Sequence, residues 1–459
     1  MADVMNLEAV SRRRVVLSAP ALVGSVIAAA CAGLSAPEKE PVSKEPVALE
    51  IQHRWDGAER EPLVVAQARA FEEKYPHVKV NVVATGNANF STAGYIASML
   101  AKIVAGTPPD VFMVHAVDAI DLVDKSALTY LDPFLLRDKI VLRDLYFPAA
   151  LASMQIGGKT FALTQTAAGD NPYLFYNKSL LAAAGVDPKQ LDTWEGLLAA
   201  SKTLTRPAGD GFSQIGLAYP GGAFMDWHTV NGGDLLSKDG RKVAFNTDAG
   251  RQTLTYMTDS VKALYGSEQR LSEFLSQFPG HPRGGSGGSW VAQKEAMWMT
   301  GPWAWLETPK QAPDLQFAGV RLPVNRANSK SKQTTLAESV WTWAMGTGLK
   351  KPSEAWLLEK WMSLEEGHKQ LMIGMGRATM LKSVVQDKAF FSQNPGWNVV
   401  LDTLNAATGL PPSKGWAAAK PLINAIPDAV LSGKYGVADA LLQAERAAQA
   451  AVDEAYRPK

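Results

Sequence analysis

Thirteen tryptophans dominate the side chains that could do chemistry here, against one cysteine and six histidines. A lone cysteine excludes an intramolecular disulfide and any multi-cysteine zinc or iron–sulfur site. The scattered histidines include no HExxH or similar ligand spacing. The run Pro282-Arg283-Gly284-Gly285-Ser286-Gly287-Gly288 lacks the Lys-Ser/Thr of a phosphate-binding loop and reads as a mobile loop. No nucleophile elbow or His-based triad spacing stands out, and no cofactor or metal is expected. What the composition does offer is indole, with a flat apolar face and one N–H donor, suited to a thick core or to a ligand platform. Trp55-Asp56 ends the first strand, and α/β sheets hold ligands outside the carboxyl ends of their strands. Trp341 and Trp343, two apart in a strand, share one face that serves either core or cleft. Arg377, in Gly374-Met375-Gly376-Arg377, could hold a hydroxyl, an acidic ligand or a salt bridge. Asp170, in Gly169-Asp170-Asn171-Pro172, offers a carboxylate able to accept from two hydroxyls, or an Asx turn.

These residues need a scaffold, and the chain supplies one of α/β type. Ala48 to Trp55 alternates as a strand, and Pro62 opens a helix with Leu63, Ala66, Ala70 and Phe71 on one face. Val78, Val80 and Val82 alternate in a second strand. Ile96, Met99, Leu100 and Ile103 mark a second helix, and Asp110 to Val114 is an apolar run suited to a parallel sheet buried on both faces. Strand, helix, strand, helix, strand implies right-handed crossovers. A further strand runs from Thr160 to Thr164, and helices cover Pro352 to Leu364 and Val437 to Tyr456. No internal repeat is present.

At 459 residues the chain is long enough for about three domains. Lys+Arg 46 against Asp+Glu 45 leaves a net charge of +1, and no basic patch follows residue 14, so nucleic acid is not an expected partner. The N-terminus reads as an address: Arg12-Arg13-Arg14, an uncharged run Val15 to Ala30, then Cys31. The paired arginines resemble a twin-arginine signal, although Val15-Val16-Leu17 departs from that pattern. Ala28-Ala29-Ala30-Cys31 looks like a lipoprotein cleavage site with Cys31 lipidated; a plain A-x-A cut or a retained anchor is the alternative. Residues 31–47, rich in Pro, Ser and alternating charge, read as a flexible tether.

Several ordered segments across roughly 50 to 440 resemble the family 1 extracellular solute-binding proteins of ABC importers, whose best-known relatives bind maltose and maltodextrins. They are Phe71-Glu72-Glu73-Lys74-Tyr75-Pro76, Pro109-Asp110-Val111, Leu174-Phe175-Tyr176-Asn177-Lys178, Asp192-Thr193-Trp194-Glu195-Gly196-Leu197 and Gly301-Pro302-Trp303-Ala304-Trp305. The resemblance implies a two-lobed periplasmic-binding-protein fold of type II, each lobe a mainly parallel sheet flanked by helices. Residues 48–165 plus 336–376 would form lobe 1, and 166–335 plus 377–459 lobe 2. Crossovers are expected near Gln165 to Ala168, Thr334 to Leu336 and Gly376 to Thr379. It also implies an exported, non-enzymatic, monomeric receptor, lipid-anchored at the outer face of the cytoplasmic membrane or periplasmic, that closes on a carbohydrate and delivers it to an ABC permease.

Sugar capture fits the residue types: a pyranose has a patchy apolar face and an equator of hydroxyls, so it needs an aromatic plane with a few carboxylates, amides or guanidinium groups. The resemblance places Trp303 at the stacking plane, Asp170 at a ligand carboxylate, Phe224 at a second aromatic contact with Trp227 competing, and Trp416 at a distal aromatic. Trp305 is assigned to core. A binder of glycerol phosphate or another polyol, with Arg377 or Arg54 pairing phosphate, is one alternative, and an exported carbohydrate-active enzyme is another. A ferric binder is disfavoured because the eleven tyrosines include no adjacent pair.

Overall fold

The computed structural model describes residues 45–55, 60–85, 92–165, 172–219, 224–278, 287–337, 340–377, 379–387 and 396–457. The alternation of Val47, Leu49 and Ile51 with polar neighbours forms the strand Val47–His53, which pairs in parallel with Val78–Ala84 on one side and Val111–His115 on the other. Trp341–Ala344 and Leu163–Thr164 complete this five-stranded sheet in antiparallel sense. A strand from much later in the chain thus lies between two early ones. The expected strand Thr160 to Thr164 is broken, with Lys159–Thr160 pairing locally to Gln155–Ile156 and only Leu163–Thr164 joining the sheet.

The first crossover helix, Glu61–Lys74, buries Val64, Ala68 and Phe71. Leu63 and Ala70 are only half-buried and Ala66 is exposed, so the inward face is rotated from the one expected. The run from Leu63 to Ala70 is apolar almost all round the helix, which leaves its periodicity degenerate. The helix Thr92–Val104 buries Ile96 and Met99, two of the positions anticipated.

A second five-stranded sheet runs Phe317–Val320, Tyr173–Asn177, Glu295–Thr300, Gly211–Leu217, Arg206–Ala208. Only Glu295–Thr300 and Gly211–Leu217 pair in parallel, connected through the helices Phe224–Val230, Asp248–Tyr265 and Glu268–Ser276. Both sheets are therefore mixed, and the second is mainly antiparallel where a mainly parallel one was expected. One antiparallel pair is local in origin, since Gly209, at φ +54, lets Arg206–Ala208 fold straight back onto Gly211–Leu217; the other two join Tyr173–Asn177 to strands far later in the chain, Glu295–Thr300 and Phe317–Val320.

Two of the motif segments are helix starts. Asn177 accepts from Leu180 N–H to cap Lys178–Ala183, and Thr193 accepts from Gly196 N–H to cap Trp194–Leu204. A Cβ on Gly196 would meet Gln190 O at 2.0 Å, so this turn requires glycine.

Between the sheets, Leu336–Ala337 pairs in parallel with Thr408–Gly409. Past Thr379 the chain still packs on the first sheet's side: Phe147 N–H donates to Met380 O at 3.2 Å, and Met380, Leu381, Val384 and Val385 join the first hydrophobic core. The helices Trp416–Asn424 and Val437–Ala455 belong to the second core.

Candidate functional site

The carboxyl edge of the first sheet gathers one half of the site. Arg54 and Trp55 leave the strand Val47–His53, His115 ends the next strand, and Trp341 begins its antiparallel neighbour opposite His115. Arg54 Cζ lies 4.5 Å from the centre of the Trp341 ring, and the His115 ring sits 3.6 Å from it. His115 Nδ1 is 3.5 Å from Asp118 Oδ2, in the first turn of the following helix. Gln165 N–H donates to Trp341 O at 2.7 Å, and its fully buried carboxamide has no hydrogen-bond partner among the described residues.

The second sheet supplies the other half. Glu295–Thr300 ends in Gly301-Pro302-Trp303, after which Ala304–Gln311 is helical. The Trp303 ring folds back over Gly301, where a Cβ would lie 2.0 Å from it. Trp303 is half-buried, whereas Trp305 packs edge-on against Tyr173 and Phe175 as the core residue it was expected to be.

Arg377 joins the two halves. The helix Glu366–Met375 ends in a left-handed Gly376, and Arg377 N–H donates back to Met372 O at 3.1 Å, which fixes the side chain's point of departure. Its Cζ lies 5.3 Å from the Trp303 ring and 5.7 Å from the Trp55 ring, and the residue is 6 % exposed. Burial first, then the charge of Arg377, lowers the proton affinity of Arg54 below the usual guanidinium range; Arg60 adds to this, and Tyr95 and Asp118 oppose it. Among the described residues, no group of three or more His, Cys, Asp or Glu could hold a metal ion, and no helix is long and apolar enough to cross a membrane.

Of the residues singled out in the sequence, Trp55, Trp303, Trp341 and Arg377 converge. Phe224, Trp227 and Trp416 lie apart from these four, as core side chains around the second sheet; Trp55 at 2 % exposed and Trp341 at 6 % are buried as well, in the first core, whereas Trp303 is half-buried. Phe224 stacks on His228 at 5.5 Å, Trp227 packs among Trp194, Tyr219 and Tyr256, and Trp416 is 1 % exposed. Their helices run along the second core with nearly every apolar position inward, and in such helices an indole is core whatever its chemistry. Asp56, Asp170 and Cys31 lie outside the described residues. Sequence reasoning missed His115, although its place at the end of a buried parallel strand was a usable signal, and it gave Arg54 only a passing role.

The model of the bacterial extracellular solute-binding protein family matches residues 56–369. An uncharacterised ABC transporter extracellular-binding protein of Pyrococcus horikoshii is 28 % identical over 188 residues, covering 40 % of this chain and 41 % of that protein, so the match spans about two fifths of the relative's length. Among solved structures, CpMnBP1 with mannotriose bound superposes with a TM-score of 0.73 at 23 % identity, over 88 % of this chain and 100 % of that one. The maltose/maltodextrin-binding domain of Bdellovibrio bacteriovorus bound to maltotriose gives 0.69 at 16 % identity, over 88 % and 100 %. At such identities the likeness establishes the two-sheet periplasmic-binding-protein fold.

Proposed function

The chain belongs to the bacterial extracellular solute-binding proteins, and from that premise we propose that it captures a carbohydrate, an oligosaccharide in particular, between two lobes and delivers it to the membrane permease of an ABC importer. It is a solute-binding protein and not an enzyme. The carrying observation is the convergence of Trp55 and Trp303, one from each sheet, on Arg377. Indole faces at the carboxyl ends of strands, with guanidinium donors between them, match the apolar face and hydroxyl equator of a sugar ring. The bound mannotriose and maltotriose of the structural neighbours support this reading. In it Trp303 is the principal stacking plane, Trp55 and Trp341 line the first lobe, and Asp56 and Asp170 supply carboxylates.

Each lobe then holds one sheet, and the lobes turn about the chain passages after Gln165, at Leu336–Ala337 and at Thr408–Gly409. The last of these replaces Gly376 to Thr379 as the third passage, because Met380 to Val385 still pack on the first core. Ligand contacts that exist only when both walls meet shift the population toward the closed form. Export through the N-terminal signal and lipidation of Cys31 would keep the receptor at the outer face of the membrane. Titration with mannotriose, maltotriose and longer oligosaccharides, followed by tryptophan emission and small-angle scattering, tests the reading. Saturable binding with a smaller radius of gyration is expected. Binding without compaction removes the hinge, and no binding by any saccharide removes the carbohydrate.

A further inference from the structure

The edge of the first sheet carries a polar side chain that no described residue satisfies. Gln165 is fully buried, and both ends of its carboxamide, Nε2 and Oε1, have no hydrogen-bond partner among the described residues. Burying an amide in this way costs free energy, and folded proteins keep few such groups unless water or a ligand completes them. The polar groups beside it are committed elsewhere. Trp341 O accepts from the backbone N–H of Gln165 itself at 2.7 Å, and the Tyr146 hydroxyl is directed at Thr164 O and Ser363 O, at 3.4 and 3.1 Å.

Strand register places this amide in the candidate site. Thr342 lies opposite Thr164, so Gln165 stands opposite Trp341, and Trp341 in turn lies opposite His115. Residues opposed across strands project from one face of a sheet. Gln165, Trp341 and His115 therefore form a row across three strands at the carboxyl edge, with Arg54 over the middle indole. The next described strand after Gln165, Tyr173–Asn177, already belongs to the second sheet, so the amide stands where the chain passes between the two.

A carboxamide presents an acceptor oxygen and an NH2 donor side by side, the complement of two neighbouring hydroxyls, one donating to Oε1 and the other accepting from Nε2. We infer that Gln165 is a specificity-determining residue of this cleft and reads a pair of neighbouring hydroxyls on a saccharide ring. The inference rests on the carbohydrate reading above and adds a residue to it. A ring lacking either hydroxyl leaves half of a buried amide unpaired, which is the arrangement that discriminates most strongly against deoxy analogues.

Gln165→Met removes the amide while keeping length and bulk. Calorimetric titration with mannotriose and maltotriose, beside thermal melts of the unliganded protein, separates recognition from structure. Affinity for the trisaccharide that the parent binds should fall about tenfold or more, for two lost hydrogen bonds. The melting temperature should stay level or rise by about 2–4 °C, because an amide without partners contributes nothing to the fold. At least one monodeoxy derivative of that trisaccharide should bind the parent about tenfold more weakly than the trisaccharide itself, and Gln165→Met should no longer distinguish the two. Whatever the melting temperature, discrimination retained by the variant overturns the inference and leaves the carbohydrate reading intact. A variant that melts lower and binds as the parent does assigns the amide to the fold through a buried water, with the same consequence. If neither trisaccharide nor any longer oligosaccharide binds the parent, both the inference and the carbohydrate reading fall.

Discussion

Individual residues show most clearly which parts of the site the sequence could disclose. The resemblance carried by Gly301-Pro302-Trp303 put Trp303 at the stacking plane, and the structure gives the reason for the glycine: the indole occupies the space of a Cβ. Gly301→Ala should therefore displace the Trp303 ring and weaken saccharide binding about tenfold or more, with a stability loss of about 1–3 kcal/mol typical of overpacking. Titration of the variant checks this, and unchanged affinity would separate Trp303 from the ligand. Trp227 and Trp416 are core side chains in the structure, which the sequence does not disclose because an indole's chemistry is the same in a core and in a cleft; only three-dimensional packing distinguishes them. Glu295 gives a second residue-scale prediction. It is fully buried, Ser289 Oγ lies 2.6 Å from Oε2, and Ala218 N–H donates to Oε1. Burial, only partly opposed by those hydrogen bonds, pushes its carboxyl up to about 8. A carboxyl whose folded value exceeds its unfolded one stabilises below the unfolded value, and that stability is lost as pH rises from about 4.5 to about 8, amounting to about 3 kcal/mol at pH 7. Glu295→Gln reproduces the neutral hydrogen-bonding pattern, so its stability relative to the unmodified protein should rise from pH 5 to pH 8 in denaturant titrations. An equal difference at both pH values would contradict a protonated Glu295.

Among the elements, those governed by local rules were the legible ones. Pro352–Leu364 was anticipated to the residue, and Val437–Ala455 to within one, because each starts at a Pro or Gly boundary and the second keeps a sustained apolar stripe. The second sheet's direction was not legible, since strand pairing across more than a hundred residues leaves no periodicity in the sequence. The helix Glu366–Met375 illustrates how an element positions a site residue. His368 within it is fully buried; its Nδ1 is 3.3 Å from Met362 O and its Nε2 is 2.6 Å from Thr379 Oγ1. These contacts brace both sides of Gly376-Arg377. Burial lowers the His368 pKa to about 4. The unfolded chain therefore takes up the proton first, so this stabilisation is complete above about pH 6.5 and disappears as pH falls through about 4, a loss of about 3 kcal/mol. Between pH 7 and pH 4, His368→Asn should flatten the decline of unfolding free energy. A decline as steep as the parent's would assign the acid sensitivity elsewhere, His228 being the next candidate, since burial depresses it to about 4 as well.

At the scale of the whole molecule, a two-lobed reading invites the expectation that each lobe melts separately. The threading argues otherwise. Trp341–Ala344 is a central strand of the first sheet, yet the chain reaches it only after building the second sheet, and the second core is completed by the C-terminal helices from Trp416 onward. Neither body can lose its structure without pulling on a segment of the other. Packing adds to this: Tyr173, Phe175, Trp298 and Trp305, all on or beside the second sheet, share one continuous core with Val47, Val111 and Trp343 of the first. Trp305 is tightly packed at that junction, with Gly396 so close that a Cβ there would fall 1.7 Å from the indole. Scanning calorimetry should accordingly show one cooperative transition, and ligand should move it upward as a unit. Trp305→Ala, costing about 3–5 kcal/mol as a large core truncation, should shift that single transition to lower temperature without splitting it. Two resolved transitions, with only one responding to Trp305→Ala, would mean that the lobes fold independently and that the shared core does not couple them.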